Sequence, residues 1–369
     1  MLSKLFEACV YRKIKDKLSV CGLQFGYVSE GGCERSLHVL NTVVNHFLKE
    51  KTDVYMVTLD ASAAFDKVNT YGLLSKLIDK DVPFEVIRTL LSWFGKNYAC
   101  VRLNECHSDY IEIDSGIKQG GLMSPILYNV YVDELMKVLM TSELGCTVGG
   151  ESYCALFYAD DIILLSGSVR KMQKMLDICN EYGKKYGINF NALKTKWFCT
   201  DVHGNSKLVY FIMNDIILEN AGKIIKFLGV GLVIKRGLLT MDINDRIIKF
   251  NAACYNVLLN SNDLSEVIRC ELIVKKCEPV LMYGIGCIRI DAEEEYKMHI
   301  AYRKIFRYIF HLSLRSHISE LLEVFHINSI HNLIKNKITR CIMHNIETNF
   351  LKVRFITLYA LRSGIYNVY

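Results

Sequence analysis

Two adjacent carboxylates, Asp160 and Asp161, stand between two short apolar runs. The runs at 154–158 and 162–165 are rich in aromatic and branched side chains, and Ser-Gly-Ser follows at 166–168, so the pattern predicts a hairpin of two strands. Adjacent carboxylates repel each other, and burying them is costly unless a cation or hydrogen-bond donors compensate. The pair therefore suggests a divalent metal ion. A solvated turn between two strands is the alternative interpretation, since Asp is common in turns.

A third carboxylate, Asp60, ends an apolar run that predicts another strand, and a strand that ends in an acid can deliver it to a metal ion. Further along, a glycine-bearing loop at 116–125 leads into a helix predicted over 126–140, with Ser124 as the expected N-cap. Free N–H groups at such a helix start suit an anionic or nucleoside ligand. An ordinary helix entry is the simpler interpretation of that loop.

The elements that must position these residues predict an α+β fold. A helix is expected to about residue 18 and another from an N-cap at Ser36, and the region from 242 onward is wholly helical in pattern. The other predicted helices cover 71–80, 84–96 and 169–186, and the other predicted strands cover 99–103, 110–113, 227–234 and the two arms of a strand–turn–strand unit at 188–198.

Composition narrows the class of protein. The 369 residues are 51% hydrophobic with a net charge of +6, which suits two or three subdomains and is compatible with a polyanionic partner. The 14 cysteines include no Cys-x-x-Cys pair and no secretory start precedes them, which favours a reducing compartment and a role as small core residues. No apolar run reaches membrane-spanning length. The late histidines, together with Cys341, match no common zinc-ligand spacing.

Five motifs occur in the order of palm motifs A to E of reverse transcriptases, and the chain resembles that family. The closest pattern is that of non-LTR (LINE-type) retrotransposons. The matching segments are the strand ending at Asp60, the loop at 119–121, the Tyr-Ala-Asp-Asp of 158–161, residues 191–194 and the Phe-Leu-Gly of 227–229, with LINE-like blocks at 59–68 and 118–125 and a Tyr-Gly signature at 281–284.

The resemblance implies a right-hand polymerase with fingers, palm and thumb, an antiparallel palm sheet and a helical C-terminal region. On that pattern the expected division is 1–50 partial fingers, 51–80 palm, 81–115 a fingers/palm insertion, 116–236 palm and 237–369 helical thumb and C-terminal region. An endonuclease domain and the first finger motif are not found in the sequence, so the resemblance also implies a truncated element.

The resemblance further implies two-metal nucleotidyl transfer with Mg²⁺, Mn²⁺ being possible. Asp60, Asp160 and Asp161 would be the metal ligands. Asp60 and Asp160 would bridge the ions, and Asp161 would face the opposite side and support them. Lys194 would protonate the departing pyrophosphate. A solvent-facing turn lysine is the alternative for Lys194.

The remaining site residues are also assigned by resemblance. Phe65 would lie under the incoming sugar, Gln119 and Gly120 along the nucleotide, and the Phe227, Leu228 and Gly229 segment against the primer strand as a primer grip. A core aromatic is the alternative interpretation of Phe65, and Asp66, next to it, is interpreted as a helix cap.

The expected partners are an RNA template, a DNA primer and dNTPs, with no membrane, in the cytoplasm and nucleus; the oligomeric state stays open. Two other hypotheses compete with an active reverse transcriptase. One is an inactive retroelement relic that at most binds nucleic acid. The other is an RNA-dependent RNA polymerase, against which Phe65 and the Tyr158-Ala159 pair argue.

Overall fold

The computed structural model describes residues 2–95, 97–204 and 208–365, and the chain divides into two compact units. The first unit comprises residues 1–32 and 51–221, and the second comprises 33–50 and 222–369. Helices are numbered α1–α13 and strands β1–β16 along the chain. The division of the sequence into fingers, palm and thumb is finer than these two units and stays a prediction.

The first unit is built on a five-stranded sheet in the order β13-β10-β1-β9-β8. All neighbouring pairs are antiparallel except β10 and β13. These strands are β1 (Tyr55–Asp60), β8 (Ala155–Tyr158), β9 (Asp161–Ser166), β10 (Lys196–Cys199) and β13 (Glu219–Asn220).

Helices and short ribbons surround that sheet in the first unit. The helices are α1 (Leu2–Ile14), α3 (Thr70–Ile78), α4 (Phe84–Phe94), α5 (Ser124–Thr141) and α6 (Val169–Tyr186), with a 3₁₀ turn at Lys15–Lys17. The short strands are β2 (Tyr98–Ala99), β3 (Arg102–Leu103), β4 (Cys106–His107), β5 (Ile111–Glu112), β6 (Cys146–Val148), β7 (Glu151–Tyr153), β11 (Ile212–Met213) and β12 (Ile216–Ile217).

Helix α6 has the predicted bounds, because its pattern carries both of its end signals. Met172, Met175 and Cys179 form a buried stripe along one face. The helix ends at Gly187, which takes the left-handed conformation (φ +74°) that favours glycine.

The second unit is mostly helical around a three-stranded antiparallel sheet. Its strands are β14 (Ile225–Phe227), β15 (Val230–Lys235) and β16 (Leu238–Met241). Its helices are α2 (Cys33–Lys49), α7 (Ile243–Leu259), α8 (Glu266–Leu272), α9 (Glu278–Met282), α10 (Ala292–Ile309), α11 (Ser319–Val324), α12 (Ile330–Ile346) and α13 (Leu351–Arg362), with a π-helical turn at Ile273–Cys277 between α8 and α9.

Two predicted boundaries in this unit are wrong. Helix α2 begins at Cys33, directly after Gly32, and Ser36 is buried inside its first turns instead of capping it. The single strand predicted at 227–234 is split by a turn, because Leu228 and Gly229 both have positive φ angles (47° and 71°) that no strand accommodates.

All 14 cysteines are free, and nine of them are buried, as expected for small core residues. Among the described residues, no helix combines the length and the apolar character needed to cross a membrane.

Candidate active site

Three residues with carboxylate side chains lie at the same end of the sheet of the first unit. Asp60, the last residue of β1, pairs in register with Asp161, the first residue of β9. Directly opposed residues of antiparallel strands project to the same face, so these two acids are neighbours. Asp160 lies just before Asp161, in the two-residue loop that joins β8 to β9. Asp161 was expected to face the side opposite to Asp60 and Asp160. With respect to Asp60 this expectation is wrong, because the strand register places Asp60 and Asp161 on the same face.

Loss of solvent and mutual repulsion disfavour the ionised forms of this group. Burial raises the pKa of Asp160, a hydrogen bond from its own backbone N–H offsets part of the rise, and the charge of Asp60 adds to it. Burial also raises the pKa of Asp161, and the charges of Asp160 and Asp60 raise it further. The ionised forms of Asp160 and Asp161 are thus destabilised by neighbouring carboxylates, which is the electrostatic setting that a cation relieves.

The tip of the carboxylate hairpin is held by the segment between α1 and α2. Phe25 N donates to Phe157 O (2.8 Å), and Phe157 N donates to Leu23 O (3.0 Å), so residues 23–25 run alongside β8. Gln24 is 1% exposed, and its Oε1 accepts hydrogen bonds from Ala159 N (3.1 Å) and Gly26 N (3.0 Å). Gln24 therefore fixes the residue that immediately precedes Asp160.

Close packing explains the glycine in that segment. A Cβ on Gly26 would lie 2.8 Å from Ala159 N and 3.0 Å from the carbonyl carbon of Tyr158, both backbone atoms. Asn129 on α5 donates to Gly26 O (2.7 Å), which ties the same segment to the helix. Gln24 and Asn129 are functional candidates that sequence analysis missed. The glycines at 22, 26, 31 and 32 were the available signal for a close backbone approach in this segment.

Lys194 lies beside the first carboxylate. Its Nζ is 4.0 Å from Asp60 Oδ2, and the two side chains are 67% and 41% exposed. The loop that carries Lys194 is bonded to the end of β1, since Asn191 N donates to Asp60 O (2.8 Å) and Ser62 N donates to Asn189 O (3.0 Å). Backbone pairing thus brings this lysine to the carboxylates. An exposed pair at this distance contributes little to stability.

Phe65 is half-buried after the end of β1, where its ring stacks on Tyr128 of α5 (centroid distance 4.9 Å, interplanar angle 29°). Tyr128 is fully buried, and its hydroxyl has no hydrogen-bond partner among the residues that the structure describes. Burial raises the pKa of Tyr128, and the charge of Asp160 adds to the rise. Phe65 therefore packs against a tyrosine ring whose hydroxyl pKa is raised in part by the charge of Asp160.

Gln119 and Gly120 are exposed in the loop before α5, and Gly120 has a left-handed φ of +78°. Gln119 Nε2 donates to both carboxylate oxygens of Asp66 (3.0 Å each). Asp66 does not cap the following helix, because the N-cap of α3 is Asn69, which accepts from Gly72 N. Asp66 instead orients the Gln119 side chain.

Backbone N–H groups at the start of α5 bind a carboxylate from the same chain. Glu7 of α1 is 6% exposed, and its Oε2 accepts from Leu122 N (2.5 Å) and Met123 N (3.1 Å). The N-cap position of α5 is Met123, so the prediction of Ser124 as N-cap is wrong by one residue: Ser124 is the first residue of the helix, and its hydroxyl donates to Lys118 O (2.5 Å). These two N–H groups, which sequence analysis offered to an anionic ligand, are thus bound by the carboxylate of Glu7.

The first unit therefore gathers acids, a lysine, an aromatic platform and a glycine-bearing loop around one sheet end. A sequence model described as reverse transcriptase (RNA-dependent DNA polymerase) matches residues 1–232, more than half of the chain. The chain belongs to the reverse transcriptase family.

Among curated relatives, the reverse transcriptase is similar to Pol polyproteins and polymerases of mobile elements. It is 25% identical over 207 residues to the Retrovirus-related Pol polyprotein from type-2 retrotransposable element R2DM of Drosophila melanogaster, covering 56% of this chain and 19% of that protein. It is 28% identical over 205 residues to the RNA-directed DNA polymerase from mobile element jockey of Drosophila funebris, covering 52% and 22%. The chain thus spans about a fifth of the length of these relatives.

Solved structures with a similar fold include telomerases. The apo telomerase from Candida tropicalis is 15% identical with a TM-score of 0.47, covering 95% of this chain and 61% of that one. The form of that enzyme truncated from its C-terminal domain is 18% identical with a TM-score of 0.46, covering 64% and 45%.

The predicted primer-grip residues of this reverse transcriptase lie in the second unit. Phe227 ends β14 and pairs with Val230 of β15, which leaves Leu228 and Gly229 as a two-residue turn. Phe227 and Leu228 are buried, and Gly229 is exposed. They are thus brought together as one hairpin tip, whereas the carboxylates, Lys194, Phe65 and the Gln119 loop all belong to the first unit.

Reverse transcriptases use divalent metal ions, and the residues of the first unit fit such ions by donor chemistry. Carboxylate oxygens are the donors that Mg²⁺ prefers, and Mg²⁺ takes few of them when substrate phosphates complete its shell. Within the described ranges, no group of three or more His, Cys, Asp or Glu side chains is gathered closely enough to hold a metal ion. The raised pKa values of Asp160 and Asp161 mark the place where a cation would be stabilised.

Proposed function

We propose that the chain is an RNA-directed DNA polymerase of a non-LTR mobile element, which adds dNTPs to the 3′ hydroxyl of a DNA primer on an RNA template. The observation that carries this proposal is the pairing of Asp60 with Asp161 next to Asp160, inside a chain of the reverse transcriptase family. The five-part division into fingers, palm and thumb and an intracellular location in cytoplasm and nucleus belong to the same proposal.

Asp60, Asp160 and Asp161 would hold two Mg²⁺ ions, with Mn²⁺ as a possible substitute. When bound, the ions lower the pKa of the primer hydroxyl and balance the charge of the triphosphate. Ser62 Oγ donates to Asp60 Oδ2 (3.3 Å), which helps to hold this carboxylate in place. Lys194 stands 4.0 Å from Asp60 Oδ2, where its ammonium group would give a proton to the departing pyrophosphate.

The nucleotide would be selected by side chains that other residues hold in place. Phe65, stacked on Tyr128, would lie under the sugar and close the space that a ribose 2′ hydroxyl needs. Gln119, oriented by Asp66, and Gly120, which has no side chain, would line the path of the nucleotide. The turn at 227–229 would contact the primer strand.

The test is primer extension on a poly-A template with labelled dTTP, comparing wild type with Asp160→Asn. We expect extension to fall by about 10³-fold or more, equivalent to roughly 4 kcal/mol of barrier, while the thermal unfolding midpoint does not fall. Asp215→Asn is the matched control, because it makes the same change at an exposed turn with a positive φ of 62° that Asn accepts. It should extend primers like wild type.

The relic hypothesis gives a different outcome in the same samples. A relic would bind primer–template in a titration, with affinity that falls as salt rises because bound counterions are released from phosphates, yet wild type and Asp160→Asn would both fail to extend. Equal extension by the two proteins would instead show that the carboxylates are not the metal ligands.

A further inference from the structure

The Leu228–Gly229 turn has a conformation that its own residues do not favour. Both residues have positive φ angles, 47° and 71°, as a tight two-residue hairpin turn requires. Glycine takes that conformation freely, but a leucine in it brings its Cβ close to the following carbonyl oxygen. Some contact outside the hairpin must therefore stabilise the turn.

Two side chains of the second unit supply that contact, one at each carbonyl of the turn. Tyr283 donates its hydroxyl to Leu228 O (3.0 Å). Arg246 donates from its guanidinium to Gly229 O. Backbone carbonyls at an exposed hairpin tip ordinarily bind water, so paired side-chain donors at consecutive carbonyls fix the orientation of both peptide groups.

Arg246 is unusual for an arginine because it is only 5% exposed. Its guanidinium lies 5.2 Å from the centre of the Tyr283 ring and 3.9 Å from Asp245 Oδ2, and within the described part of the chain its Nε has no hydrogen-bond partner. A buried arginine needs charge compensation and hydrogen bonds. The contacts with the Tyr283 ring and with the turn carbonyl are therefore the ones that keep it in this position.

The path of the chain at Tyr283 is fixed by its neighbour. Gly284 has a φ of +80°, and a Cβ there would lie 2.9 Å from Met241 Cε and 3.3 Å from Val230 Cγ2. The glycine thus lets this loop approach the strands that carry the turn. The two residues act together: Gly284 allows the loop to approach the strands, and Tyr283 makes the hydrogen bond to Leu228 O.

We propose that Arg246 and Tyr283 are positioning residues, which hold the Leu228–Gly229 turn in the conformation that sets the register of the primer's 3′ end. This inference rests on the proposed function, because it takes the turn to be the part of the second unit that meets the primer. Neither residue touches the reacting atoms. Their effect passes through two backbone carbonyls.

The experiment places 2-aminopurine at the 3′-terminal position of a DNA primer annealed to an RNA template and titrates the full chain into it. Fluorescence of the terminal base reports its local environment, and anisotropy of a dye at the far end of the template reports overall binding. Tyr283→Phe removes one hydroxyl and Arg246→Lys removes the fork of donors while keeping the charge. Tyr255→Phe on α7 and Arg362→Lys, both at exposed positions, are the matched controls.

We expect Tyr283→Phe and Arg246→Lys to lose most of the fluorescence change at the primer end, while the overall Kd for primer–template changes by less than about threefold. Because a primer that is bound out of register is not extended, extension should show a kcat lowered by roughly tenfold, the scale of one lost hydrogen bond, with the KM for dTTP unchanged. The controls should match wild type in every measurement.

Three outcomes would overturn the inference. One is that Tyr283→Phe or Arg246→Lys lowers only the unfolding midpoint and leaves the fluorescence of the terminal base as in wild type. Another is a wild-type chain that binds the duplex without changing the fluorescence of the terminal base. The third is an equal loss in the controls. Because fluorescence needs no catalysis, a failure of Asp160→Asn to abolish extension would refute the proposed function separately. If Arg246→Lys does not fold, Tyr283→Phe decides the question.

Discussion

Two tight hairpin turns, one in each unit, each hold a non-glycine residue at a positive φ angle, and different backbone groups are used to stabilise them. The turn between β8 and β9 places Ala159 in the left-handed region (φ +55°), and the turn between β14 and β15 places Leu228 there (φ +47°). The first is held through its N–H, which donates to Gln24 Oε1. The second is held through its carbonyls, which accept from Tyr283 and Arg246.

The difference follows from what each turn carries. The first turn presents carboxylates, so its partner is a neutral amide that adds no charge beside Asp160 and Asp161. The second turn carries no ionisable side chain, so a buried cation, Arg246, can hold it at short range. Side chains distant in sequence thus stabilise both turns: a neutral side chain holds the charged turn, and a charged side chain holds the neutral one.

The largest effect that would sharpen this comparison is expected from Gln24→Leu. Removing the amide leaves the N–H groups of Gly26 and Ala159 buried without acceptors, so the free energy of unfolding should fall by about 2–4 kcal/mol. Gln173→Leu is the matched control, because that glutamine also bonds to backbone, at Ile212, but is partly solvated and water can replace it. Urea unfolding measures both. Equal losses would mean that the first turn does not depend on Gln24.

A second prediction separates the chemical roles of the two turns. Phe65→Val should raise the ratio of rNTP to dNTP incorporation by about a hundredfold, which needs only about 2.7 kcal/mol of differential barrier. Tyr283→Phe, at the second turn, should leave that ratio unchanged. Steady-state incorporation of both nucleotide types by each variant gives the result. A ratio that stays constant while both activities fall would make Phe65 a packing residue.

The smallest effect is expected from Ala159→Gly. Glycine takes a φ of +55° without the steric cost that alanine has there, so the free energy of unfolding should rise by about 0.5–1 kcal/mol. Ala301→Gly inside α10 is the opposite control, since glycine in a helix costs about 1 kcal/mol. Extension should remain near wild type. A destabilised Ala159→Gly would show that the first turn is not strained at this residue.

Local sequence patterns predicted the parts of the fold that local physics decides. The stripe of Met172, Met175 and Cys179 with Gly187 behind it specified α6 completely, and apolar runs flanking Asp160 specified the carboxylate hairpin. In contrast, the split of residues 227–234 depends on donors from Tyr283 and Arg246, which no window around the turn contains. The predicted strand there was wrong for that reason.

Long-range pairing also decided the parts of the candidate site that the sequence did not reveal. Glutamine is usually a surface residue, so nothing local marks Gln24 as the buried acceptor for Ala159. Glu7 looks like an ordinary acid on an amphipathic helix until α5 brings its first N–H groups to the carboxylate. The alignment of Asp60 with Asp161 likewise required the strand register.

Helix α2 has a consequence for the order in which the protein is assembled. It is made early, yet it belongs to the unit formed by residues beyond 222, where it packs on β16, α12 and α13. Twelve of its 17 residues are buried there, including Val39, Leu40 and Val43. During synthesis this apolar surface must wait for about 300 further residues before α13 can cover it. In that interval the nascent chain exposes the apolar face of α2, which is prone to aggregation. We therefore expect chaperone binding and the rate of translation to affect the yield of folded protein.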